Sequence, residues 1–105
     1  MARGKALVFT NCREGQEAEF NRWYDDVHAA EVIEKTPITA CTRLRLSDAQ
    51  LEAAGGPPGH RYLAIYDFDG DAEAVRDALL TTKFEMSDAL DPETGVMFFD
   101  TLEPS

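Results

Sequence analysis

The amino-acid sequence predicts an α+β fold in which two helices lie on one face of a four-stranded antiparallel sheet. Three observations lead there. Strand-like and helix-like stretches follow one another in the order β-α-β-β-α-β. Each helical stretch carries its apolar residues on one side, so each has a single face to bury. The strand-like runs are apolar on both faces, which an open antiparallel sheet does not require.

The first strand is GKALVFTN (4–11), rich in branched and aromatic residues and closed by the turn-forming NCREG. From Gln16 the period changes. Phe20, Trp23, Tyr24, Val27 and His28 fall at i, i+3, i+4, i+7 and i+8, with Asn21, Arg22, Asp25 and Asp26 opposite them. Gly15 serves as the N-cap, and Glu17 and Glu19 suit the positive end of the helix dipole. The helix is expected to weaken after His28, because a β-branched pair precedes Pro37, whose ring disfavours helix at Thr36; a short extra turn through Val32 and Ile33 bridges the gap.

ITACTRLRL (38–46) alternates as a strand, and SDAQLEAAGGPPG (47–59) is a polar, Gly/Pro-rich connection. RYLAIYDF (61–68) is the strongest strand of the chain. DGDAEAVRDALLTTKF (69–84) opens on Asp71 as N-cap and gathers Ala72, Val75, Ala78, Leu79 and Thr82 on one side as a second helix. MSDALDPETG (86–95) reads as a loop and VMFFDTL (96–102) as the last strand. With no repeat, linker or low-complexity tract, residues 1–105 form one domain.

This order is the signature of the ferredoxin-like sandwich, whose right-handed crossovers put both helices on the same face of the sheet. Ala6 and Val8 alternate with Leu7 and Phe9, Tyr62, Ala64 and Tyr66 with Leu63 and Ile65, and Val96 and Phe98 with Met97 and Phe99. The face away from the helices therefore needs a cover, and a second copy of the same sheet is the simplest. The expectation is a homodimer packed sheet to sheet into an α/β barrel with the helices outside.

Twenty acidic residues against ten basic ones give a formal charge of −10, with no basic run. Such a surface repels phosphate backbones and anionic lipid, which argues against nucleic-acid and membrane roles. No apolar run approaches the ~20 residues needed to span a bilayer, and MARGKALVF lacks a separate apolar signal core. A cytoplasmic protein is expected. Cys12 and Cys41 form no CxxC, zinc or disulfide framework and are expected to be reduced. No phosphate loop, GxSxG, HExxH or calcium loop occurs, so no motif implies a cofactor or metal.

His28 is the first candidate for chemistry. At the edge of the buried stripe, one turn beyond Tyr24, its imidazole is poised by modest burial for acid–base work, or it is a core-edge residue bonded to a carbonyl or favoured by the helix dipole. Tyr24 either positions His28 or a substrate oxygen, or fills space with its hydroxyl in water. Trp23 is a core anchor or a pocket wall. Asn11 either donates to an oxyanion or caps the turn. Cys12 as a nucleophile needs a lowered pKa that no feature demands. Arg43 and Arg45 share a face of the second strand and either clamp a carboxylate or, as preferred here, guard an edge strand. Phe9, Tyr62, Tyr66 and Phe98 supply an apolar wall in whichever combination faces the helices. His60 reads as exposed, and Met86, Ser87 and Asp88 as a lid or an inter-subunit contact.

The segment EGQEAEFNRWYDDVHAAEVI follows a strand and matches the pattern G-x-E-x-E-F-x-x-W-Y-x-x-x-H with an apolar pair after it. Together with the passage HRYLAIYDFDGD, it resembles the EthD-like family of the dimeric α/β-barrel superfamily. The resemblance covers most of the chain, and its specific part is F-x-x-W-Y-x-x-x-H. It implies a sheet-to-sheet dimer, a pocket between helix and sheet, and His28 as a proton carrier with Tyr24 and Trp23 beside it. The chain departs from the pattern after the histidine, where a proline and later a proline-glycine pair are common. Ala29-Ala30 and then Thr36-Pro37-Ile38 stand here instead, so the pocket entrance is expected to differ. The implied activity is a cofactor-independent lyase, isomerase or cyclase acting on a hydrophobic aromatic or polyketide-like oxygenated molecule. A cofactor-free monooxygenase and a non-catalytic small-molecule-binding accessory protein are the alternatives.

Overall fold

The computed structural model describes residues 2–51 and 59–102. Its strands are β1 (Arg3–Thr10), β2 (Ile38–Arg45), β3 (Tyr62–Asp69) and β4 (Gly95–Asp100), paired antiparallel in the spatial order β2-β3-β1-β4. The helical part comprises α1 (Glu17–Trp23), a π-helical turn (Tyr24–His28), α2 (Ala29–Lys35) and α3 (Ala72–Thr81). This is the ferredoxin-like arrangement. Of the connection 47–59, residues 52–58 lie outside the described part.

The register shows how the sheet accepts the helices. Ala6 stands opposite Tyr66 on one side and Phe98 on the other, and Val8 opposite Ala64 and Val96. Small residues at the centre of this face let Phe20, Trp23 and Tyr24 sit down on it, and all three are buried with Val32, Phe68 and Val75. Each such side chain contributes about 1.5–3 kcal/mol on burial. A bulge between Ile38 and Ala40 rotates Ile38 into the same core. At Gly4 the backbone runs against its neighbours: a Cβ there would lie 2.2 Å from the Phe99 carbonyl oxygen and 2.8 Å from the Phe68 ring.

The other face carries the row Leu7–Ile65–Met97, with Phe9, Leu63, Leu44 and Phe99 around it. Leu44, Met97 and Phe99 are 46%, 55% and 50% exposed, and the Lys5–Asp67 ion pair lies toward one end. No described helix is long and apolar enough to cross a membrane.

The first helix does not weaken after His28. It runs on to Lys35 because Val32 is buried in the core, and that burial outweighs the low helix propensity of Val32 and Ile33. It ends where the pre-proline rule requires: Thr36 is extended (φ −133°, ψ 171°), and its hydroxyl donates to the Val32 carbonyl at 2.7 Å. Gly15 is not the N-cap. It takes the left-handed conformation of the preceding turn (φ +77°), and Gln16 caps without a side-chain bond. The second helix is shorter than 69–84: Asp71 is its N-cap as expected, but the chain turns extended at Thr82. The following loop is tied down by a single Cys12–Leu90 bridge and by Arg13 N donating to Ala89 O at 2.7 Å.

Candidate functional site

The π turn decides where His28 goes. A regular helix advances about 100° per residue, so Val32 would sit about 120° from the centre of the Phe20–Trp23–Tyr24 stripe. One extra residue in the wide turn Tyr24–His28 removes that mismatch, so Val32 is buried and His28 swings in with it. The imidazole stacks on Trp23, five residues back, with ring centroids 4.6 Å apart and planes 20° off parallel. Tyr24 and Phe84 meet it edge-on at 5.1 Å and 5.6 Å.

Three aromatic neighbours leave the imidazole short of polar company. His28 Nδ1 is buried without a hydrogen-bond partner, and it is the one such side-chain atom among the described residues. Desolvation pushes the His28 pKa down to about 4, with the nearby Glu31 carboxylate pulling the other way. At neutral pH the ring is a free base.

A short strap crosses this cluster. The Trp23 indole N–H donates to the Glu85 carbonyl at 2.9 Å, and the Glu85 N–H donates to Glu31 Oε1 at 2.6 Å, which clips the backbone beside Phe84 on both sides. The Glu85 N–H, then the Lys35 ammonium at 3.0 Å from Oε2, hold the Glu31 carboxyl below its usual range.

On the sheet side of the cluster lies a buried polar pair. The Tyr66 hydroxyl donates to the Tyr24 hydroxyl at 3.0 Å, and the two residues are only 3% and 2% exposed. Burial pushes Tyr24 up to about 12 and raises Tyr66 further; it also raises the Cys41 thiol, with Tyr66 pulling the other way. Arg43 closes the pair off. Its guanidinium lies 4.4 Å from the Tyr24 ring centroid and bonds to Asp25 Oδ1 and Asn21 Oδ1, each at 2.9 Å.

Of the residues singled out in the sequence, His28, Tyr24, Trp23 and Tyr66 therefore come together. Tyr62 shares the helix-facing side but packs on Phe20, with centroids 4.9 Å apart, and Phe98 sits on β4 opposite Ala6. Phe9 is outside the combination that faces the helices: it points to the other face of the sheet, where its ring lies 6.2 Å from that of His60. Asn11 forms a clip, in line with the turn-capping reading. Its Nδ2 donates to Gly59 O at 3.0 Å and its Oδ1 accepts from Arg61 N at 2.8 Å, so both amide ends join the end of β1 to the entry of β3. His60 is half-buried and bonded through Nε2 to Glu93 O at 3.1 Å.

Phe84, Glu31 and the Arg43 lid were missed. Phe84 lay at the end of a supposed helix, and no local pattern links it to His28. Arg43 could have been found from its spacing, since alternation from Cys41 puts it on the helix-facing side, where an edge guard has no use. No group of metal-ligating side chains occurs among the described residues. Comparison with models of known families, with characterised proteins and with solved structures finds no match to this chain.

Proposed function

We propose that the chain is a cofactor-independent enzyme of the lyase, isomerase or cyclase type, an EthD-like dimeric α/β barrel in which His28 moves a proton on a hydrophobic, aromatic or polyketide-like oxygenated substrate. The observation that carries this reading is the unpartnered His28 Nδ1. Leaving a buried polar atom unpaired costs about 1–3 kcal/mol, and a carbonyl or hydroxyl opposite it would have removed that cost. A base kept unpaired in an apolar setting is instead free for a substrate proton.

The depressed pKa fits the same chemistry. His28 enters as neutral imidazole and gains base strength only when an enolate forms beside it, because an adjacent negative charge favours the imidazolium. Trp23 and Phe84 supply flat apolar surfaces for a ring-bearing substrate, and Tyr24 lies at the edge of the imidazole. Entry beside His28 requires the strap through Phe84 and Glu85 to move. The apolar open face of the sheet supports the dimer: Leu44, Met97 and Phe99 on a single copy face water.

The test is deuterium exchange at the carbon next to the carbonyl of 2-tetralone and phenylacetone, followed by NMR in D2O for wild type, His28→Ala and His28→Gln. Wild-type catalysis that falls about a hundredfold in both variants is expected for a lost acid–base group. Equal rates in all three proteins overturn the assignment. Oxygen uptake with the same ketones would point to the monooxygenase alternative.

A further inference from the structure

The open face of the sheet is graded along its strands. Across β2, β3, β1 and β4 the registers set out three rows: Ala40, Asp67, Lys5 and Phe99; then Thr42, Ile65, Leu7 and Met97; then Leu44, Leu63, Phe9 and Gly95. Within these rows charge stands at one end, as the Lys5–Asp67 ion pair, whose side chains are 54% and 36% exposed. The two edges are graded in size in opposite directions. β4 runs from the large Phe99 to Gly95, and β2 from the small Ala40 to Leu44.

We infer that a second copy of this chain docks here with the two-fold axis parallel to the strands, so that Lys5 of each copy lies over the partner's Asp67. The orientation rests on the dimer proposed above and adds its geometry. Two facing sheets related by a two-fold axis pack aligned in either of two senses. With the axis along the strands, β1 of one copy covers β3 of the other and β4 covers β2, row on like row. Lys5 then meets the partner's Asp67, Leu7 the partner's Ile65, Phe99 the partner's Ala40 and Leu44 the partner's Gly95, so that charge meets opposite charge and large meets small. With the axis across the strands, sizes still match at the edges, where Ala40 meets the partner's Leu44. Lys5, however, comes down on the partner's Phe9 and Asp67 on the partner's Leu63. That arrangement strips water from both charges and adds no counter-charge. The square of two lysines and two aspartates is neutral, so it selects the orientation while the apolar rows supply the affinity.

Sedimentation velocity of the full chain first fixes the concentration at which the wild type is dimeric. Isotope-filtered NOE spectra of a dimer mixed from 13C-labelled and unlabelled chains then report contacts between copies alone. Contacts of the Phe99 ring with the partner's Ala40 methyl, and of Leu7 with the partner's Ile65, are expected. A second measurement mixes Lys5→Glu with Asp67→Lys, after 1H–15N spectra have shown each variant folded. The mixed dimer should form about tenfold more tightly than either variant's own dimer, because only the mixture sets opposite charges against each other; native mass spectrometry counts the three species. Contacts of Ala40 with the partner's Leu44, or statistical mixing of the charge variants, would overturn this docking mode and leave the dimer standing. A monomeric wild type would overturn both.

Discussion

His28 titrates far from where a free imidazole does, and the sign of the effect on stability follows from that. The unfolded chain takes up a proton near the ordinary value of 6.5, the folded chain only near 4. Between those values the unfolded state holds the extra proton, so the stability contributed by burying the neutral ring is complete above pH 6.5 and is lost as pH falls toward 4. The loss amounts to about 3 kcal/mol at most. Urea unfolding of wild type and His28→Phe at pH 6.5 and pH 4 should therefore show the steeper fall in wild type; parallel lines would mean the ring is not buried as neutral imidazole. At the tyrosine pair, Tyr66→Phe leaves the enclosed Tyr24 hydroxyl without its donor and should cost about 1–3 kcal/mol. Tyr24→Phe leaves Tyr66 its Cys41 neighbour and should cost less, and the double variant should cost less than the sum of the two in thermal unfolding.

Among the elements, the strands were legible and the helix was not fully so. Alternation separated Ala6 from Leu7, Tyr66 from Ile65 and Phe98 from Met97, because a period of two tolerates no drift, while only the register shows that Ala6, Tyr66 and Phe98 share one face. The π turn was hidden, because a wide turn is a response to where Val32 must go, and the period read from Phe20 to His28 holds no record of it. The strap is equally a product of the tertiary fold, since Glu31 and Glu85 are 54 residues apart. Glu31→Ala should release the Glu85 amide and leave His28 wetter. Faster hydrogen exchange at Glu85 is expected by NMR; protection at Glu85 as in wild type would show that Trp23 alone holds the strap.

As a whole, the molecule opposes a strongly acidic surface to an apolar sheet face. Under the proposed dimer, apolar contact must overcome repulsion between two copies each of formal charge −10. Added salt should thus tighten association, the reverse of its effect on a dimer held by ion pairs. Ile65→Asp, placed in the middle row of that face between Leu7 and Thr42, should give a monomer in sedimentation velocity at concentrations where wild type is dimeric. A dimeric Ile65→Asp would move the contact to another surface.

Trp23 is the single tryptophan of the chain, 3% exposed, stacked on His28 and bonded through its indole N–H to the strap. The protein thus carries its own fluorophore at the place that matters, with no second indole to blur the signal. Emission wavelength and quenching in the unlabelled chain can follow strap opening, His28 protonation and ligand entry in real time, and can screen small-molecule libraries without a labelled ligand.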